Sequence, residues 1–146
     1  MTRFTDETER VLRASGWRPG RHVDTSFWRK RLESGGFRWN TAADRFLGEF
    51  GGLAVDISGP GITSAREPFE LDPILVEGEG DRFAEWAEVI GESIAPLGEL
   101  DGGRHFLGMS ESGGLYLVAD WLASFGRAAA ALESLILGIS PAPVAE

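Results

Sequence analysis

No cysteine occurs anywhere in the 146 residues. A disulfide scaffold, a thiolate zinc site and a cysteine nucleophile are therefore excluded, and the composition fits a reducing compartment. Only two histidines are present, His22 and His105, and neither stands in a metal-ligand spacing such as H-E-x-x-H. His22 falls in a turn, where a solvated or loop-bonding imidazole is the ordinary role. No stretch reaches the roughly 18–20 uninterrupted apolar residues of a membrane span. The nearest, "AAAALESLILGI", is short and carries Glu133. The opening "MTRFTDETER" is charged from its start and lacks the apolar region of a secretion signal. Internal repeats and low-complexity runs are absent as well. These absences lead to the expectation of a soluble cytoplasmic protein without cofactor or metal.

What is present is enough for a core. Apolar residues make up 42% of the chain and aromatics 10%. A chain of this length fits one domain and hides roughly 68–70% of its unfolded surface. The expectation is a single domain over 1–146, with its core at 4–138 and a loose tail at 139–146 that ends in "APVAE".

The net charge is −9, and its distribution carries more information than its size. Residues 1–65 hold 10 Arg/Lys against 8 Asp/Glu, residues 66–101 hold 2 against 11, and residues 102–146 hold 2 against 4. The deficit is concentrated in one quarter of the chain. Such a segment repels a phosphate backbone and attracts a basic protein. Solubility alone does not require that concentration. The expectation is one continuous exterior patch formed by the acids of 66–101.

"TDETERVLRASG" reads as a first helix, with Thr5 as cap and Gly16 as stop. "DTSFWRKRLESGG" reads as a second, capped by Asp24 or Thr25 and stopped at Gly35, with Trp28 and Leu32 as its buried pair. In "TAADRFLGEFGG", Thr41 can cap a third helix whose stripe is Ala43, Phe46, Leu47 and Phe50. Gly51 and Gly52 can then adopt positive φ and reverse the chain into the strand "LAVDI". "FELD" is a short strand limited by Pro73. "GDRFAEWAEVIGESI" is a fourth helix, with Phe83, Trp86, Ala87 and Ile90 inward and Asp81, Glu85, Glu88 and Glu92 toward solvent. "IAPLGEL", "HFLGM" and "GLYLVADW" are apolar strand candidates, with "SESGG" as a hairpin turn between the last two. "RAAAALESLILG" closes the chain as a fifth helix. Helices and strands come in blocks, which predicts an α+β fold with an antiparallel or mixed sheet covered by helices.

No catalytic constellation emerges. "GEGD" lacks the Lys of a P-loop and the third Gly of a dinucleotide fingerprint, and reads as a loop leading into a helix. Ser110 and Ser112 in "SESGG" do not form a nucleophile elbow. No D-x-D-x-D-G calcium loop is present, although so many carboxylates make some close pair inevitable. Trp28 and Trp86 lie on buried stripes. Trp39 and Trp121, near element ends, are candidates for surface contact.

Four stretches, "GWRPGRHVDTSFW", "RFLGEFGGLAV", "LDPILVEGEGDRFAEWAEVIGESIAPLGEL" and "HFLGMSESGGLYLVADWLASFG", follow one another in an order that resembles the SUKH superfamily, and its third subfamily in particular. The resemblance runs from about Phe4 to Gly138. It implies an α+β domain of bacterial polymorphic toxin systems, an immunity protein that binds and neutralises a cognate toxin, often a nuclease. It implies no catalytic residues. Trp17, Gly51, Gly52, Pro96, Leu97 and Gly98 match its pattern as scaffold positions. Together with the charge, this predicts a binding protein rather than an enzyme, whose partner is a basic toxin domain and neither nucleic acid nor membrane. The residues expected at the contact are Glu67, Glu70, Asp72, Glu77, Glu79, Asp81, Glu85, Glu88 and Trp121. A regulatory interaction module without a toxin partner is the alternative, and a small enzyme using a carboxylate pair the third reading.

Overall fold

The computed structural model describes residues 3–146. Seven strands form one sheet in the order β1 to β7, every neighbouring pair antiparallel. They are β1 Ala54–Val55, β2 Phe69–Glu70, β3 Ile94–Leu100, β4 His105–Ser110, β5 Gly114–Val118, β6 Leu122–Arg127 and β7 Ala142–Ala145. Five helices accompany them: α1 Asp6–Ala14, α2 Ser26–Ser34, α3 Thr41–Phe50, α4 Gly80–Ile90 and α5 Ala128–Leu137, with a short 3-10 helix at Pro73–Val76. The architecture is α+β, as the blocks of the sequence indicate.

Alternation along the central strands gives the sheet two apolar faces. Ala95, Leu97, Leu107, Met109, Leu115, Leu117 and Ala123 join the larger cluster, with Leu12 of α1, Leu47 of α3 and Leu132 of α5. Ile94, Val118 and Leu122 join a smaller cluster with Phe83 of α4, Leu32 of α2, Phe37 and Val76, against which Phe106 and Tyr116 pack. The sheet is thus sandwiched, with α1, α3 and α5 on one side and α4 on the other. In the larger cluster Phe4, Trp17, Phe46 and Phe50 form an aromatic group with ring separations of 5.0–6.3 Å. Edge-on and stacked pairs of this kind contribute about 0.5–1.5 kcal/mol each beyond their area.

Several local expectations change. The cap of α3 is Asn40, not Thr41: its Oδ1 accepts from the Ala43 amide at 2.8 Å, while its Nδ2 donates to the Met109 carbonyl at 3.0 Å. One side chain therefore caps the helix and ties it to β4. Only Gly52 of the glycine pair has positive φ, at +84°. Gly51 is required for a different reason: a Cβ there would stand 2.5 Å from both the Trp28 ring and the Leu47 carbonyl oxygen. Its missing side chain lets the half-buried Trp28 lie against the end of α3. Residues Ala142–Ala145, expected to be loose, pair with β6 as an edge strand. Pro143 is tolerable there because an edge strand can do without one ladder donor.

Trp39 is held inward. Its indole N–H donates to Asp44 Oδ1 at 2.9 Å, and the Thr25 hydroxyl donates to the same oxygen at 2.6 Å. The Thr25 bond first, then the Trp39 bond, holds the Asp44 carboxyl below the usual carboxylate range.

Candidate functional site

α4 owes its seat to Phe83, which is buried, and to Trp86, Ala87 and Ile90, which pack against the smaller cluster. The Trp86 indole also donates to the Ala119 carbonyl at 2.9 Å. Fixing that side of the helix dictates what its other side displays. Asp81, Glu85 and Glu88, spaced i, i+4 and i+7, form an exposed stripe. Among the described residues none of the three has an ion-pair partner within 4.0 Å. Val89, 57% exposed, stands one turn beyond Glu85. Asp81 suits the first turn, but the later acids of the stripe work against the helix that carries them. Like charges at these spacings cost about 0.2–0.5 kcal/mol per pair, and Glu88 lies in the last turn, at the negative end of the helix dipole.

The other acids of 66–101 meet different fates, so the segment does not present all of its charge as one free patch. Glu77 is neutralised by Arg31 of α2 at 2.8 Å. Glu79 pairs with Arg82 at 3.3 Å, and the same guanidinium reaches Asp120 at 3.3 Å. Asp72 accepts from the Ile74 amide at 3.0 Å and caps the 3-10 helix. Glu70 of β2 faces Glu99 of β3 in register at the β1 end of the sheet. With Asp56 they line an open hollow of about 220 Å³.

Glu67 sits beside Asp101. Burial pushes its carboxyl above the usual range, a hydrogen bond and the charge of Asp101 add to this, and Arg104 opposes it. This is the kind of pair an acid–base enzyme needs. The hollow beside Glu67, however, holds about 40 Å³, room for about one water molecule and none for a substrate. Among the described residues no group of three or more His, Cys, Asp or Glu could hold a metal ion.

Trp121 is on the surface, 38% exposed at the β5–β6 turn, with its ring edge-on to His105 at 5.4 Å. His22 is exposed in its turn. The structure therefore brings Asp81, Glu85 and Glu88 together, engages Asp72, Glu77 and Glu79 internally, and sets Glu67 and Glu70 on the β1–β3 side of the sheet.

It also adds residues that sequence reasoning leaves out. Beside the α4 stripe lies an open hollow of about 490 Å³, bounded by residues 36–38, α4 and the β4–β5 turn. Phe37, Phe83 and Ile94 contribute to its lining, Glu88, Glu92 and Glu111 stand around it, and Arg38 is the one cation in the lining. Glu92 accepts from the Ser112 amide at 2.8 Å and the Ser112 hydroxyl at 3.1 Å. Glu111 accepts from the Ser93 hydroxyl at 2.9 Å. Glu92 follows Glu88 by four residues in the sequence, but α4 ends at Ile90 rather than running on to Ile94, and the left-handed Gly91 sets Glu92 in the turn beyond. Glu111 and Arg38 come from distant segments and leave no local signal.

The family model described as SUKH-3 immunity protein matches residues 4–138. The chain belongs to the SUKH-3 immunity protein family. No curated protein and no solved structure matches it at a significant level. In this SUKH-3 domain Trp17, Gly51, Pro96, Leu97 and Gly98 serve the scaffold. Trp17 is buried and stacked on Phe50 at 6.3 Å. Gly51 admits Trp28. Pro96, Leu97 and Gly98 form the irregular step in the β3–β4 register, where a Cβ on Gly98 would stand 1.9 Å from the Glu70 carbonyl oxygen. The SUKH-3 fold thus fixes the framework, while the α4 stripe lies outside it, on surface that packing leaves free.

Proposed function

We propose that the chain is an immunity protein that binds a cognate secreted toxin, a nuclease, and neutralises it by covering the active site with its acidic surface. The family supplies the class of function. The observation that carries the mechanism is the α4 stripe: three exposed carboxylates without ion-pair partners among the described residues, beside an exposed valine, the last of them at the helix end that disfavours it. A nuclease holds phosphates with Lys and Arg. A row of carboxylates offers those residues the same charge, and clustered charge steers the two proteins together. A standard interface buries about 800 Å² per partner, of which α4 and its surroundings supply the centre. In this reading the protein works in the cytoplasm of the cell that makes the toxin, needs no cofactor and performs no catalysis. The acids on the β1–β3 side and Trp121 extend the contact.

Co-expression with the cognate toxin domain tests the function, scored as rescue of growth. Reversing Asp81, Glu85 and Glu88 to Lys tests the mechanism: association with that toxin domain slows at least about tenfold and loses most of its salt dependence. Association at the wild-type rate would refute the placement on α4.

A further inference from the structure

We infer that the hollow between α4, residues 36–38 and the β4–β5 turn receives a single arginine or lysine side chain from the partner. The inference rests on the proposed function and deepens it by naming one contact. The hollow is not simply another group of acids. Its lining includes the inner, apolar parts of the protein, Phe37, Phe83 and Ile94, together with Ala84 and Ala87 of α4. At about 490 Å³ the open hollow has room for a long side chain. Three acidic residues from three segments line it: Glu88 from α4, Glu92 from the turn after α4, and Glu111 from the β4–β5 turn.

Two of these carboxylates are held in place. Glu92 is fixed by two bonds from Ser112, and Glu111 by one from Ser93. The turn that follows α4 and the β4–β5 turn are thereby tied together, and the opening of the hollow is set before a partner arrives. Pre-set partners lose less side-chain freedom on binding. Each carboxylate oxygen bonded to serine retains a second lone pair, so a guanidinium or ammonium can still be accepted.

The occupant follows from charge and shape. An apolar lining with anionic surroundings matches an aliphatic stem ending in a cation, which is the form of Arg and Lys. A carboxylate or phosphate would meet three negative charges against one positive charge, Arg38. A purely apolar side chain would leave those carboxylates partly desolvated and unpaired. Arg38 stands in the same lining and weakens the attraction. It also supplies a distinguishing prediction, because its removal strengthens binding while removal of any acid weakens it.

The test uses the full chain and two blocked tripeptides, Gly-Arg-Gly and its neutral citrulline counterpart, titrated by amide NMR. The arginine peptide shifts the amides of residues 36–38, 91–94 and 111–112, and the citrulline peptide leaves them in place. Glu88→Gln with Glu111→Gln weakens the arginine peptide at least about tenfold, and Arg38→Ala tightens it severalfold. Circular dichroism of each variant verifies the fold. No shifts with arginine, equal shifts with citrulline, or shifts spread equally to Glu70 and Glu99 would overturn the inference.

The same double variant is then co-expressed with the toxin domain. If the wild type rescues growth and the variant loses rescue, both readings stand. If both rescue equally, the hollow is not the contact and the immunity function survives. If the wild type itself fails to rescue, the proposed function falls, and the peptide titration still decides whether the hollow takes a cation.

Discussion

Helices α1 and α4 are both short, both amphipathic and both rich in acids, yet they treat their charges in opposite ways. In α1 the acids Asp6, Glu7 and Glu9 all stand in the first turn, where the dipole favours them. Glu7 pairs with Arg10 at 2.7 Å and Arg66 at 3.2 Å, and Glu9 pairs with Arg13 at 2.9 Å. In α4 the acids run the length of the helix into its last turn, and Asp81, Glu85 and Glu88 have no such cations among the described residues. Each helix has a buried apolar anchor, Leu12 in α1 and Phe83 in α4. The difference therefore lies in the use of the surface. One helix arranges its charges to hold itself together, and the other accepts a penalty and leaves its charges available.

That contrast can be broken at several strengths. The largest effect comes from the anchors. Leu12, fully buried in the larger cluster, replaced by Ala costs about 2–5 kcal/mol, read as a lower denaturation midpoint. A loss below about 1 kcal/mol would mean that α1 is not integral to the core. A smaller and more diagnostic effect comes from one substitution made in both helices. Glu9→Lys removes the Arg13 pair and places a cation at the positive end of α1, so stability falls by about 0.5–1 kcal/mol. Glu88→Lys relieves repulsion with Glu85 and suits the negative end of α4, so stability rises by about 0.3–0.5 kcal/mol while toxin binding weakens. The same sign for both would remove the distinction between the helices.

The smallest effect lies outside both helices. The Glu67 carboxyl is raised in the folded state, so its contribution is most favourable when it is protonated and is lost as pH rises through its folded-state value. Glu67→Gln therefore melts with the wild type near pH 4 and at a slightly higher temperature at pH 7. An unchanged difference across that range would contradict a Glu67 carboxyl raised by burial and by Asp101.

The helices were legible because each buries one periodic stripe. Ala43, Phe46, Leu47 and Phe50 announce α3 without reference to anything distant. The last two strands were not. β6 and β7, "LASFGR" and "APVA", are rich in small residues or proline, and pairing with neighbours makes them strands, β6 with β5 and β7, and β7 with β6. Asn40 and Thr41 are adjacent residues of cap type, and contact with the Met109 carbonyl, 69 positions away, decides between them. Gly51 reads as a turn glycine, but its main duty is toward Trp28. The same limit applies to the surface. Residues 66–101 reveal a local excess of acid, and the α4 period predicts that Asp81, Glu85 and Glu88 point outward. That Glu77 is neutralised by Arg31, 46 positions earlier, or that Glu111 joins Glu88 around a hollow, depends on contacts that no local pattern encodes.

The strictly sequential strand order has a consequence for how the molecule comes together. Each strand meets its predecessor as soon as both exist, which keeps most pairings short in sequence and favours rapid formation. The layer containing α4 and β3–β5 draws mainly on one contiguous stretch. The opposite layer instead joins the two ends of the chain, since the Thr5 amide bonds Glu133 across 128 positions. Synthesis must therefore reach α5 before α1 can settle, whereas α4 and the strands beneath it find their neighbours earlier.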